Sequence, residues 1–263
     1  MSFLLRFPLP VAILFVIIFS VTISILCLRF VKKKFPHEML KENHEVAGYI
    51  FNAFSIMFSV LISFVVYINW SDYNQAQKNV YEEINSQSNI FHLAAGFPDS
   101  IKKEMQLDII NYSKAVCNEE WYDMTIGKKS EKVKDAYNKL WDVLLQMDVS
   151  SMTHKTLYEQ GISELNRLSD SRRQRYLYVE NTIPGLVWFI LLLSAVMSIS
   201  FTYFFGMRKK IPHYILVIAF TTVTMLILFL IYVLDHPYST DYMITPEPFK
   251  DLINQMEIII KAG

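Results

Sequence analysis

Residues 46–95 read VAGYIFNAFSIMFSVLISFVVYINWSDYNQAQKNVYEEINSQSNIFHLAA. Helices break at glycine and proline, and after Gly48 neither residue occurs again until Gly96. Residues 46–70 carry no charged side chain, whereas the chain from Asp72 on is polar and charged. A continuous helix of this length runs roughly 70 Å, about twice a bilayer core of roughly 30 Å. The stretch therefore predicts a transmembrane helix that continues, unbroken, into an extramembrane domain.

The composition fits a helical membrane protein with one polar insert. Hydrophobic residues make up 52% of the 263 residues, and there are only 7 glycines and 9 prolines. The 25 basic and 25 acidic residues balance, so we expect no nucleic-acid partner. Cys27 lies in an apolar run and Cys117 in the polar insert, which predicts two free thiols.

Four apolar runs predict the fold class: all-α, with four transmembrane helices and a helical bundle inserted between the second and third. The predicted spans are residues 11–29, 46–70, 184–205 and 213–234. Because the first run is long and ends in several basic residues, we interpret it as a retained helix and not as a cleaved signal. The predicted segments are 1–70 with a basic loop at 30–45, the extramembrane domain 71–182, the span pair 183–236 and a tail 237–263.

Amphipathic periodicity predicts the bundle of the insert. The second half of the long helix, which Asn43 starts with an amide cap, is followed by predicted helices at 100–125, 131–147 and 151–181. Gly127 is the expected end of the first of these, and a short apolar helix at 249–260 is expected in the tail. Four such helices bury their apolar faces by antiparallel packing.

The short loops carry an excess of basic residues, which predicts the orientation. Two spans separate the loops, so both lie on one side, and short basic loops stay in the cytoplasm. These residues are Arg29, Lys32, Lys33, Lys34, Lys41, Arg208, Lys209 and Lys210. The prediction is a multi-pass protein of a bacterial inner membrane with periplasmic termini and insert. Arg172, Arg173 and Arg175 before the third span point the other way, but long domains weigh little in this rule.

Enzyme signatures are missing from the sequence. It contains no glycine-rich phosphate loop, no cysteine or histidine cluster with metal spacing and no nucleophile motif. We therefore predict that the protein is not an enzyme and that it uses no cofactor or metal.

A polar row follows one face of the second span at steps of three, four and four residues: Asn52, Ser55, Ser59 and Ser63. These small residues could let helices pack closely and hydrogen-bond to each other. Alternatively, they line a water-filled path around an oligomer axis and hydrate a passing ion.

Other charged residues are candidate contacts inside the extramembrane domain. Glu82 and Glu83 could form exposed ion pairs with Arg172 and Arg173 on the returning helix, worth about 0–1 kcal/mol each. Glu120 and Trp121 predict either a packed corner or a ligand contact. At the end of the fourth span, the triplet Asp235, His236 and Pro237 predicts either a gate or a structural corner broken by proline.

Several short motifs resemble a bacterial membrane-protein family described as bestrophin-like. They are NHEVAGYIF at 43–51, FVV at 64–66 with Trp70, EEW at 119–121, IP at 183–184, LDHPY at 234–238 and TPEPF at 245–249. His236 departs from the family pattern, in which arginine is usual. The resemblance implies kinship with pentameric anion channels whose second helix lines the pore, and so implies a pore-lining role for the polar row. Bestrophins keep their large domain in the cytoplasm, whereas the loop charges predict the reverse here.

Two functional hypotheses follow. The first is a homo-oligomeric ion channel in the lipid bilayer, with inorganic anions as the permeating ions. The second is a non-conducting membrane sensor or envelope interaction module that acts through its helical domain.

Overall fold

The computed structural model describes residues 7–35, 44–125, 128–205, 210–239 and 243–262. Every regular element in these ranges is helical, which confirms the all-α prediction. Asn43, Lys41, Gly127, Arg208 and Lys209 lie outside the described residues. The elements are α1 (Leu9–Lys34), α2 (His44–Leu93), a 3-10 turn (Ala94–Gly96), α3 (Asp99–Ala115), a π-helix (Val116–Glu120), α4 (Trp121–Thr125), α5 (Glu131–Leu145), α6 (Met152–Glu180), α7 (Gly185–Tyr203), α8 (Lys210–Leu234) and α9 (Glu247–Ala262).

Four of the described helices, α1, α2, α7 and α8, are long and apolar enough to cross a membrane. This agrees with the predicted number of spans. Helix α2 is a single 50-residue helix, as the absence of glycine and proline after Gly48 predicts.

The chain divides into two compact units. The membrane unit comprises Met1–Ser71 and Ile183–Asp235. One face of α2 packs into it through Phe58, Ile62 and Val65, against apolar side chains of α7 and α8. A second cluster joins the three remaining spans through Leu28 of α1, Ile199 and Tyr203 of α7 and Val217 of α8.

The helical unit comprises Asp72–Thr182 and His236–Gly263. Its core contains Val80 and Phe91 from α2, as their helical spacing predicts, together with side chains of α3, α5 and α6. The apolar periodicity of the tail predicts a separate segment. In the structure α9 belongs to this core and buries four side chains in it: Phe249, Leu252, Ile253 and Met256.

The helix predicted at 100–125 is not one α-helix. It ends at Ala115, continues as a π-helix over Val116–Glu120, and resumes as α4. The wider turn of the π-helix buries Val116 and Glu120, four residues apart, on the same side. The carboxylate of Glu120 therefore lies in the core of the helical unit.

Candidate functional site on the second span and in the helical unit

The polar row borders the face of α2 that packs against the other helices of the membrane unit, and most of the row is exposed. Asn52, Ser59 and Ser63 are exposed, whereas Ser55 is partly buried. Large apolar side chains flank the row and are also exposed: Met57, Val60, Phe64 and Tyr67. The described part of the chain therefore leaves most of this polar face of the second span uncovered.

The serines of the row bond to their own helix. The Ser59 hydroxyl donates to the Ser55 carbonyl at 2.7 Å, and the Ser63 hydroxyl donates to the Ser59 carbonyl at 2.7 Å. The Ser55 hydroxyl is buried and has no hydrogen-bond partner within the described ranges. Because back-bonding occupies the hydroxyl protons, oxygen lone pairs of Ser59 and Ser63 remain for outside partners.

Asp235 joins the start of α7 to the end of α8. Its carboxylate accepts a hydrogen bond from the backbone N–H of Ile183 at 2.7 Å and another from the indole N–H of Trp188 at 3.2 Å. Only 6% of Asp235 is exposed. N–H groups at the start of a helix have no intrahelical acceptor. The Asp235 carboxylate supplies an acceptor for such a group, the Ile183 N–H, just before the helix that begins at Gly185.

His236 and Pro237 form the turn that follows. The Ser239 N–H donates to the His236 carbonyl at 3.1 Å, and the Ile244 N–H donates to the Pro237 carbonyl at 3.1 Å. Tyr238, which follows Pro237, is buried, and its hydroxyl donates to the Ala76 carbonyl at 3.3 Å.

A buried ion-pair cluster lies in the helical unit. Arg175 of α6 donates to Glu83 of α2 through Nε at 2.8 Å and through a terminal nitrogen at 3.1 Å. The same terminal nitrogen donates to Glu120 of the π-helix at 2.6 Å. All three side chains are fully buried. Each is a charge that the interior tolerates only because its partners are present.

Two tyrosines and a second arginine complete this cluster. The Tyr112 hydroxyl donates to Glu83 at 2.8 Å, and the Tyr176 hydroxyl donates to Glu120. Arg172, whose side chain is 15% exposed, donates to Glu120 at 3.0 Å. Arg172 also lies over the rings of Tyr137 and Tyr176. The two carboxylates therefore meet two guanidinium groups and two hydroxyls.

Glu120 and Arg175 each shift the pKa of the other toward its charged form. Burial favours the neutral form of Glu120, but Arg175 and then Arg172 outweigh it and hold the pKa of that carboxyl below its ordinary value. Burial also opposes the charge of Arg175, whereas Glu83 and Glu120 together raise its pKa well above the usual range. Burial, followed by the nearby Glu120, raises the pKa of Tyr176 to about 12.

The predicted domain contacts divide into two groups. Glu83, Glu120 and Arg172 belong to the buried cluster, although Glu83 pairs with Arg175 and not with Arg172 or Arg173. The other charged candidates form exposed pairs along their own helices: Glu82 with Lys78 at 3.5 Å, and Arg173 with Asp170 at 2.8 Å.

Trp121 is 8% exposed. Its ring lies 5.7 Å from that of Tyr238 and 6.0 Å from that of Phe249. These contacts correspond to the packed corner, one of the two interpretations of the EEW motif.

Arg175 was absent from the predicted contacts, although the sequence carries a signal for it. It follows Leu168 by seven residues, so it continues the apolar stripe of α6. Glu83 likewise stands seven residues after Ala76 and seven before Ile90, both buried residues of α2. Opposite charges on the buried stripes of two helices indicate an internal ion pair.

The spans, the uncovered polar face and the helical unit define a class: multi-pass helical membrane proteins with a helical bundle built on one extended span. The family model of the Bestrophin-like domain matches residues 11–249. The chain belongs to the bestrophin-like family.

Solved structures share the fold. A bacterial bestrophin homologue from Klebsiella pneumoniae, solved in two variant forms, superimposes with a TM-score of 0.68 at 12% identity over 93% of this chain, covering 96% and 97% of the respective structures. A crystal structure described as a membrane protein gives a TM-score of 0.66 at 11% identity, over 93% of this chain and 96% of that one. No curated protein matches the sequence.

Proposed function

We propose that this protein is a homo-oligomeric ion channel, selective for anions, whose path is lined by the polar face of the second span. The observation that carries the proposal is the uncovered face of α2 with its row of Asn52, Ser59 and Ser63. Hydroxyl and amide groups on such a face can replace part of the hydration shell of an ion when several copies surround one axis. Membership of the bestrophin-like family and the fold of the Klebsiella homologue support this function.

The charge of the membrane unit supports anions as the permeating ions. Its described residues include five cationic residues and two acidic ones, Glu45 and Asp235. The carboxylate of Asp235 is already occupied by two N–H donors. A field of positive sign raises the local concentration of anions. The side-chain amide of Asn52 can donate hydrogen bonds to these anions. The hydroxyls of Ser59 and Ser63 now donate to backbone carbonyls, so they can donate to an anion only after a change of rotamer.

The triplet Asp235, His236 and Pro237 fits the structural-corner alternative better than the gate. The support is the pair of hydrogen bonds from Ile183 and Trp188 to a carboxylate that is almost fully buried. In this proposal the corner fixes where α7 begins and takes no part in permeation.

Halide flux from liposomes tests the channel. We expect purified protein to release chloride faster than empty liposomes and Ser59→Trp to lose most of that flux, because the indole fills the path. Leu216→Trp is the matched control, since Leu216 is an exposed residue of α8 outside the polar row. No flux above that of empty liposomes, or equal flux from Ser59→Trp, contradicts the proposal and favours the sensor hypothesis.

We further propose that residues 71–182 form an extramembrane domain on the periplasmic side, with the basic loops in the cytoplasm. A cysteine in place of Asn138, an exposed residue of α5, should react with an impermeant thiol reagent in intact spheroplasts. Protection of this cysteine in intact cells, with labelling only after lysis, means that the domain is cytoplasmic.

A further inference from the structure

A groove of about 450 Å³ runs along the membrane unit between α1, α7 and α8. Its walls are mostly apolar and aromatic, and its rim is more than half exposed at Phe15, Phe19 and Val196. The polar groups at its floor bond to each other: the Ser24 hydroxyl lies 2.9 Å from the hydroxyls of both Tyr203 and Thr221. Because the floor satisfies itself, the groove suits an apolar occupant.

The residues that line the groove on α1 run from Phe15 to Cys27. Twelve residues of helix span about 18 Å, comparable to one leaflet of a bilayer core at roughly 15 Å. The groove thus has the length and the lining that an acyl chain requires.

Positive charge collects at one end of the same unit. Helix α1 ends with Lys32, Lys33 and Lys34, and α8 begins with Lys210. Two acidic residues stand among the described residues of this unit: Glu45 near the start of α2, and Asp235, which follows the opposite end of α8. The Lys32 ammonium is shielded from solvent, lies 4.7 Å from the ring centroid of Tyr214, and has no hydrogen-bond acceptor in the described ranges.

The groove and the basic end are continuous. Tyr203 lines the groove and packs with Leu28 and Val217, and Tyr214, which lies beneath Lys32, packs against the same cluster. Lys34 follows Cys27 by seven residues, so it lies about two turns farther on the same face of α1.

We propose that this surface binds one anionic glycerophospholipid. Its acyl chain lies in the groove between Phe15 and Cys27, and its phosphate is bound by Lys32, Lys34 and Lys210. Basic pockets between transmembrane helices bind anionic headgroups because the charges attract each other close to the membrane surface. The site is separate from the polar row of α2, so it is independent of whether the protein conducts ions.

Native mass spectrometry of the full-length protein in detergent tests this site. We would titrate phosphatidylglycerol and phosphatidylcholine with identical acyl chains. We expect the wild type to prefer phosphatidylglycerol. The affinity of the triple variant Lys32→Gln/Lys34→Gln/Lys210→Gln for this lipid should fall about fivefold for each lysine, so about a hundredfold in all. The control replaces three exposed lysines of the helical unit, Lys103, Lys128 and Lys139, by glutamine and should keep the preference.

The acyl part of the site has its own variants. Val196→Trp narrows the groove and should weaken the binding of both lipids. Leu216→Trp lies outside the groove and should leave the binding of both lipids unchanged. Lys32→Arg retains the charge and should retain the preference. Equal affinity of the wild type for the two lipids overturns the proposal. It is also overturned if the triple glutamine variant keeps the preference, or if Val196→Trp changes the subunit number in lipid-free detergent, because another copy of the chain then covers the groove.

Discussion

Replacing Arg175 by methionine should destabilise the helical unit by about 3–5 kcal/mol, the usual cost of breaking a buried ion pair by removing one partner. The substitution deletes three charge-assisted hydrogen bonds of 2.6 to 3.1 Å and leaves two buried carboxylates. Of its partners in the described structure, Glu120 keeps Arg172 and Tyr176, whereas Glu83 keeps only the Tyr112 hydroxyl. Most of the lost stability should therefore come from the buried Glu83 carboxylate.

The unequal loss makes a comparison of double variants informative. Arg175→Met/Glu83→Gln should recover more stability than Arg175→Met/Glu120→Gln, because the first neutralises the carboxylate that has fewer partners left. Hydrogen exchange of α6 in detergent, read by mass spectrometry, measures the local opening free energy. We expect protection to fall by about a hundredfold or more in Arg175→Met. A fall of less than tenfold, or equal recovery by the two double variants, refutes the assignment of Glu83 and Arg175 as a mutually dependent pair.

The pH dependence gives a second check on the same cluster. Because the folded pKa of Glu120 lies below its unfolded value, its contribution is complete above about pH 4.5 and is lost as the pH falls through the folded pKa. The wild-type helical unit should therefore lose stability on acidification below about pH 4.5. In Arg175→Met this loss on acidification should be smaller, because Glu120 then lacks the cation that lowers its pKa most. Parallel pH profiles for the two proteins contradict this account.

Two further predictions concern other positions. Asp235→Ala should destabilise the solubilised protein by about 1–3 kcal/mol, because the partly buried N–H groups of Ile183 and Trp188 lose their acceptor. Asp235→Asn should destabilise it less, and an unchanged melting temperature for Asp235→Ala contradicts this role. Burial raises the pKa of the Cys117 thiol to about 11. Its alkylation at pH 8 should therefore be about a hundredfold slower than that of an exposed cysteine. An alkylation rate within about threefold of an exposed control cysteine contradicts this prediction.

The sequence predicts well what depends on uninterrupted local patterns. The 50-residue helix α2 follows from a run without glycine or proline after Gly48, and the four spans follow from apolar length. Val80 and Phe91 face the core as their spacing requires. The polar row was located from spacing as well, but the function of Ser59 depends on which molecules cover that face, and the spacing of one chain does not contain that information.

The features that local sequence patterns do not predict depend on tertiary partners. An exposed pair between α2 and Arg172 or Arg173 was expected because charges normally prefer water. Arg175 is buried only because two carboxylates from distant segments satisfy it at once. The inclusion of α9 in the helical unit was missed for a similar reason: the buried face of α9 indicates a partner but does not identify α3 or Trp121 as that partner.

The π-helix at Val116–Glu120 makes the internal ion pair sensitive to chain length. A π-turn holds one residue more than the α-helical turn that it replaces, so it absorbs an added residue without turning the helix that follows. Loss of one residue there would therefore restore regular α-helix and leave α3 and α4 facing the core, but it would remove one position from the turn that carries Glu120. Length variation at this turn is therefore a simple way for related sequences to gain or lose the second carboxylate of the cluster.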